Sequence, residues 1–473
     1  RPFAIRLRGS FIMAYGLTKQ TAPRQLPLYT AVDNGQPVTL SPQHFAPSLR
    51  GGGWGSSADS FLRFNEEALS ALDVIAEARS SSSGFAIQLR PGGSTGAVPL
   101  RSGQTGQVAG GVVVQPRFGW PGVGCVLAET GWPALPQFHA LPMVPGSGRE
   151  VPPWVLAGPV LIRLEALMNQ MRRGYQECEE TMVRPRGRIL WHRYVSESLT
   201  RGRWEQLPCR FPDLGHDPLL LQHIRWATER VHADLIRVGR TDLVATSLAQ
   251  LARRLLAALD RVRPVRPRGS DLARLAGGGL LNDVVCKGLE ALAWIEEERG
   301  LGGGRELDGI AWSLSLSRLW EAYVEGVVRR EAGLTGAEVR VARLGETTIP
   351  IAWSDPMHRS LGHLAPDIVV RRGRSVHIVD AKYKAHLAEL DSVGWSRFAE
   401  ETRSAHRADL HQVLAYASLY GAEDIATTLV YPLRYETWVA LREQQRDRTT
   451  AELVHGGRRV VLELRGLPFG LRA

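Results

Sequence analysis

Lysine is almost absent from this chain: against 54 arginines there are only Lys19, Lys287, Lys382 and Lys384. A guanidinium is planar and effectively never deprotonated, so a lysine kept in such a background marks a place that needs a compact ammonium. Two of the four stand in Asp380-Ala381-Lys382-Tyr383-Lys384. In a strand, residues i and i+2 share a face roughly 6.5–7 Å apart, so Asp380 and Lys382 point the same way. A second β-branched run, Pro366-Asp367-Ile368-Val369-Val370, precedes this one, and the residues 371–375 between them have the length and the glycine of a hairpin turn. Pairing of the two strands brings Asp367 to the same end. Two carboxylates beside one lysine make an oxygen-rich site suited to Mg²⁺, or Mn²⁺ in its place. A divalent ion there polarises a phosphodiester and activates water, while the lysine orients the nucleophile or stabilises the transition state. The chemistry expected of these residues is phosphodiester hydrolysis.

Pro366-Asp367 followed by Asp380-x-Lys382 resembles the PD-(D/E)XK nuclease signature, and its flanks narrow the likeness. Leu319-Trp320-Glu321-Ala322-Tyr323-Val324, Asp409-Leu410-His411-Gln412-Val413-Leu414-Ala415-Tyr416 and Leu429-Val430-Tyr431-Pro432 occur in the order seen in the McrC family, the nuclease subunit of McrBC-type restriction systems. The resemblance implies an acidic residue at Glu321 on a helix before the sheet. It also implies a glutamine and a tyrosine at Gln412 and Tyr416, four apart and hence on one helical face. The catalytic set so implied is Asp367, Asp380, Lys382, Glu321 and Gln412, with metal ligation at Asp367, Asp380 and Ala381. Lys384, Tyr416, Arg263, Arg266 and Arg268 are candidate DNA contacts. More loosely, residues 187–190, 207–211 and 217–220 resemble the family's middle region, although Gln222 and His223 stand where an asparagine is expected.

The family also implies a partner, an AAA+ GTPase hexamer of the McrB kind that recognises modified double-stranded DNA. The chain has no GxxxxGK[ST] of its own, consistent with an external motor. A stand-alone or differently partnered nuclease, and a non-catalytic adaptor between a motor ring and DNA, are the alternatives.

Blander readings compete at several positions. Glu325, one turn after Glu321, is an equally plain helix carboxylate, and Gln412 could simply solvate its helix. His358, His363, His377 and His411 have no HExxH spacing, which argues against zinc. Trp312, Trp320 and Trp353 sit among apolar neighbours, as core residues do.

These residues need elements to hold them. At 473 residues and 52.1 kDa the chain exceeds one hydrophobic core, so an α+β multidomain protein is expected. Its parts are a β-rich N-terminal region for motor docking (1–150), a helical middle region and linker (151–268), and a C-terminal PD-(D/E)XK α/β nuclease domain with a mixed sheet (269–473). In the first, strands are expected at 85–89 and 112–115 and a helix at 59–78. In the last, helices are expected at 271–298, 314–332 and 405–420. Strands are expected there at 338–343, 348–353, 366–371 and 375–381, with another over 425–431 stopped by Pro432. The net charge of +10 and pI near 9.8 suit a polyanionic partner. Arginines crowd into 261–268, a stretch that fits a linker or a phosphate-contacting loop. Four scattered cysteines form no CxxC pair, and no long apolar run suggests a membrane span or a leader, so a bacterial cytoplasmic location is expected, with Met13 an alternative start.

Overall fold

The computed structural model describes residues 26–45, 54–81, 84–145, 151–170, 174–215, 218–238, 242–277, 282–296, 309–354, 361–384, 400–422, 424–455 and 458–470. The chain is α+β, with mixed sheets and packed helices.

The N-terminal part opens with β1 (Leu28–Val32) and β2 (Val38–Leu40), then α1 (Trp54–Ala71). Next come β3 (Val74–Ser81), β4 (Gly84–Pro91), β5 (Ser94–Arg101) and β6 (Val108–Gln115). Ala58, Phe61, Ala68 and Leu69 of α1 pack on Leu40, Ile87, Leu89 and Val98, a helical stripe closing over strands. The helix expected to reach 78 stops at Ala71, because Asp73 turns the chain at φ 58° into β3.

After α2 (Gly119–Thr130), the short β7 (Gln137–Phe138) and α3 (Trp154–Gln170), the middle of the chain departs from the helical expectation. It contains an antiparallel sheet of β8 (Gly174–Met182), β9 (Arg188–Ile189) and β10 (Leu207–Gly215) in the order β8-β10-β9. On β10 the buried Cys209 and Phe211 alternate with Arg210, and on the polar face Glu179 of β8 sits opposite Arg210 and accepts from its Nε at 2.8 Å. Helices α4 (Pro218–Val238), α5 (Leu243–Ala258), α6 (Gly269–Gly277) and α7 (Asp283–Glu296) follow. The single helix expected over 271–298 is thus two, with the weak helix former Gly277 closing the first.

Strand β11 (Trp312–Ser315) lies between β5 and β7 and completes the sheet β1-β6-β5-β11-β7. Helix α8 (Leu316–Gly333) begins where β11 ends, two residues later than expected. Its first turn is held twice: the Ser315 hydroxyl accepts from Arg318 N–H at 3.3 Å, and the Gly93 carbonyl accepts from Leu316 N–H at 2.9 Å. The N-terminal sheet therefore anchors the helix that carries Glu321.

Beyond it lie β12 (Glu338–Val341), a two-residue pair of β13 (Ile349–Pro350) and β14 (His363–Leu364), then β15 (Ile368–Arg372) and β16 (Ser375–Ala381). After α9 (Glu400–Ser418) come β17 (Asp424–Leu433), α10 (Tyr435–Glu443), β18 (Arg448–His455) and β19 (Arg458–Pro468). The strand expected over 348–353 shrinks to β13. The sheet order is β12-β15-β16-β17-β19-β18, parallel across β16-β17-β19 and antiparallel at both edges. On one face α8 packs Leu319, Tyr323 and Val324 into the core that holds Ile368, Val379 and Val430. On the other, Tyr416 and Ala417 of α9 cover Val369, Val376 and Ile378. Trp312 and Trp320 are fully buried, whereas Trp353 is exposed.

Pro432 does not stop β17, which runs on to Leu433 against β19. What the proline ends is the pairing with β16: Lys382 N–H still reaches the Val430 carbonyl at 2.9 Å, but Pro432 has no N–H to return, and the Lys382 carbonyl takes Lys384 N–H instead, at 2.9 Å. The lysine segment leaves the sheet there. No helix among the described residues is long and apolar enough to cross a membrane.

Candidate active site

The register of the β15–β16 pair decides where the carboxylates fall. Ile368 pairs with Val379 and Val369 with Ile378, so one step further toward the sheet's end sets Asp367 opposite Asp380 on the face covered by α9. Asp367 Oδ2 accepts from Ala381 N–H at 2.8 Å, and its backbone carbonyl accepts from Ala342 N–H at 2.9 Å. Asp380 is 1% exposed. Burial, and then the facing Asp380 carboxylate, push the Asp367 carboxyl up to about 8.

Lys382 follows Asp380 at the strand period and meets it, Nζ to Oδ2, at 2.5 Å. That contact is a charge pair without hydrogen-bond alignment, since Asp380 Oδ2 has no well-directed donor. The ammonium donates instead to Gln412 Oε1 at 2.9 Å, and Gln412 Nε2 donates to the Tyr416 hydroxyl at 2.8 Å. Burial acts to lower the Lys382 pKa, but Asp380 outweighs it and the group ends above its ordinary value, a cation at neutral pH.

Glu321 stands exposed at the rim on α8, and partial enclosure, then Asp380, raise its carboxyl. With Arg318, one turn earlier, it lines an open cavity of about 820 Å³ bounded also by β7 and α7. Glu325 points elsewhere and pairs with Arg329 and Arg343, each at 2.9 Å. The two helix carboxylates are thereby told apart: Glu321 feels Asp380 and Lys382, and Glu325 does not.

Lys384 lies beside the site, but Asp409 grips its Nζ with both oxygens at 2.7 and 2.9 Å. Asp409 is one turn before Gln412 on α9, so this pair ties the helix to the lysine segment. Arg263, Arg266 and Arg268 are exposed on the loop after α5, away from the carboxylates in their contacts. That loop rests on α4 through Val265 N–H to the Gln222 carbonyl at 3.3 Å and His223 Nδ1 to the Val265 carbonyl at 3.0 Å; Arg266 reaches the Glu296 carbonyl at 2.9 Å. His377 alternates to the other sheet face and meets Thr428 Oγ1 at 2.7 Å, His363 and His411 are exposed, and His358 lies outside the described residues.

Among the described residues no three His, Cys, Asp or Glu side chains gather closely enough to hold a metal alone. The facing pair could hold one with help. Asp380 offers a buried oxygen without a directed donor, and Asp367 is driven toward protonation by burial and by the carboxylate opposite. A strand residue sends its N–H and C=O to the same side, so the Ala381 carbonyl leaves toward Asp367 as well. Mg²⁺ commonly takes one or two carboxylates and fills its octahedron with water and substrate phosphate oxygens, so the donor set fits. Two residues that matter here, Asp409 and Tyr383, carried no role in the sequence reading; their signal was adjacency, Asp409 to Gln412 by one helical turn and Tyr383 by its place between two lysines.

No curated protein matches the chain. Among solved structures it is similar to the refined half-complex from the tetradecameric assembly of Thermococcus gammatolerans McrB AAA+ hexamers with bound McrC, at 15% identity and a TM-score of 0.40, over 94% of this chain and 96% of that chain. The cryo-EM structure of the Thermococcus gammatolerans McrBC complex is similar at 14% identity and a TM-score of 0.27, over 64% and 87%. The McrBC family model, described as "McrBC 5-methylcytosine restriction system component", matches residues 161–432, from α3 to Pro432, a span that includes Glu321, Asp367, Asp380, Lys382 and Gln412. With more than half of its length matched, the chain belongs to the family of McrBC 5-methylcytosine restriction system components.

Proposed function

We propose that within this family the chain is the McrC-type subunit, a Mg²⁺-dependent PD-(D/E)XK endonuclease that hydrolyses modified double-stranded DNA when docked on a McrB-like AAA+ GTPase hexamer. In this reading residues 1–150 serve docking and 269–473 cleavage. The observation that supports it best is Asp367 facing Asp380, with Lys382 in contact with Asp380.

When bound between the two carboxylates, Mg²⁺ supplies Lewis acidity toward a phosphate oxygen and activates water. The chain's own groups supply the rest. Asp367 and Asp380 fix the cation's position, and the hydrogen bond from Ala381 N–H holds the Asp367 carboxylate in its rotamer. Lys382, kept protonated by Asp380, works as a fixed positive charge against the developing phosphorane rather than as a base. Gln412, itself held by Tyr416, fixes the direction of that ammonium. Glu321 at the rim orients the incoming water.

The test is cleavage of a cytosine-methylated plasmid with Mg²⁺, GTP and the partner motor. Asp380→Ala or Lys382→Ala should lower cutting by about 10²-fold or more while GTP turnover by the motor continues. Full cutting by either variant would remove these roles, and cutting without any NTPase would favour a stand-alone nuclease.

A further inference from the structure

We infer that Asp33 and Arg117, far from the site in sequence, are positioning residues for Lys382 and act through Tyr383. The inference rests on the reading of Lys382 as a catalytic group.

Lys382 sits just past the end of β16, where Pro432 has ended the ladder, so the sheet fixes it on one side only. Tyr383, at the centre of the turn closed by Lys384 N–H on the Lys382 carbonyl, packs into the core that holds Ala381 and Phe469, where it is 6% exposed. There the N-terminal part clamps it. Asn34 Nδ2 donates to the Tyr383 carbonyl at 3.3 Å, and the Arg117 guanidinium lies 4.4 Å from the centre of its ring. Phe118 and Phe469 close the sides at 6.1 and 5.8 Å between centroids, and the Tyr383 hydroxyl lies against the Asp33 carboxylate. Asp33 is fully buried; Arg117 N–H donates to its Oδ1 at 2.5 Å, and Arg117 Nε stands 3.5 Å from its Oδ2.

This is a costly way to hold a chain together. Asp33 Oδ2, Arg117 Nε and Nη2 and the Tyr383 hydroxyl all lack well-aligned hydrogen bonds while buried. Replacing both members of a buried ion pair by well-packed apolar side chains is often neutral for stability, so what the charges supply here is a defined position for the residue between two site lysines.

The chain's four lysines make the test direct, because reductive ¹³C-methylation gives a separate NMR signal for each amine. In Asp33→Asn and in Tyr383→Phe the Lys382 signal should move, while that of Lys287, paired with Asp283 on α7, stays in place as the control. With the partner motor, kcat for DNA cleavage should fall about 10- to 100-fold with KM for DNA and Mn²⁺ affinity unchanged, as expected for a misplaced group. Tyr383→Phe deletes one hydroxyl and decides the matter if Asp33→Asn does not fold. An unmoved Lys382 signal in the folded variants, or wild-type kcat, would overturn the inference. A Lys382 signal that moves in a chain that never cuts DNA would leave the positioning intact and remove the nuclease reading instead.

Discussion

Asp367 and Asp380 face each other across the antiparallel pair of β15 and β16, one residue beyond the pairing of Ile368 with Val379. Like charges directly opposite on a sheet repel, and burial magnifies the repulsion. Among the described residues the Ala381 N–H, bonded to Asp367, and the Lys382 ammonium, in contact with Asp380, offset it.

Burial, and then that repulsion, set a pH dependence. Asp367 rises from 3.8 to about 8 on folding, so the folded chain keeps a proton that the unfolded chain releases. Stability from this group is full below the unfolded value and is lost as pH rises through that window. Metal-free melts from pH 5 to 9 should show wild type losing ground to Asp367→Asn as pH rises, with Mg²⁺ reversing the difference. A gap between the two proteins that does not change with pH would contradict the buried facing pair.

Lys382→Ala should cost on the order of 10²–10³ in kcat, the scale of removing one preorganised charge donor. Lys382→Arg should not restore it, because a planar fork cannot take the place of a compact ammonium between Asp380 and Gln412. Gln412→Ala should cost about tenfold, the loss of one charge-assisted hydrogen bond. Single-turnover cleavage rates read all three.

Glu321 and Glu325 should separate cleanly. Glu321→Gln is expected to lower the cleavage rate with the melting temperature unchanged. Glu325→Gln should do the reverse, since it loses pairs with Arg329 and Arg343. Paired melting and cleavage curves would reveal an exchange of these phenotypes.

Lys384 is expected to act on structure more than on DNA. Its removal takes away the Lys384–Asp409 pair, whose carboxylate is 5% exposed, and should destabilise the chain by about 1 kcal/mol once screening of the ammonium, more than a third exposed, is allowed for. The slope of log Kd for DNA against log salt should stay put, whereas a phosphate contact would reduce it by about one. The exposed Arg263 and Arg268 are the better places to see that reduction.

How much of this could be read from the sequence depended on distance along the chain. Asp380 and Lys382 were legible because strand period alone sets their relation, and β16 spans 375–381 as expected. Glu321 and Glu325 could not be separated, because residues one turn apart share a helix face and only tertiary partners choose between them. The Lys384–Asp409 pair and the clamp of Asp33 on Tyr383 depend on how β16 meets α9 and the N-terminal sheet, which no local pattern encodes. The sheet β8-β10-β9 escaped notice because β8 carries Glu177, Glu179 and Glu180 in place of a clear apolar alternation, and the alternating Leu207, Cys209 and Phe211 of β10 are too few to stand out alone. Pro432 misled for a related reason: a proline breaks only the side of the ladder that needs its N–H.

Calorimetric titration of the purified chain with Mn²⁺ tests the facing pair most directly. The wild-type chain should bind one ion at this site, and Asp367→Asn and Asp380→Asn should each weaken it at least tenfold while remaining folded. Equal affinity in all three proteins, or no ion bound by the wild type, would contradict a cation held between Asp367 and Asp380.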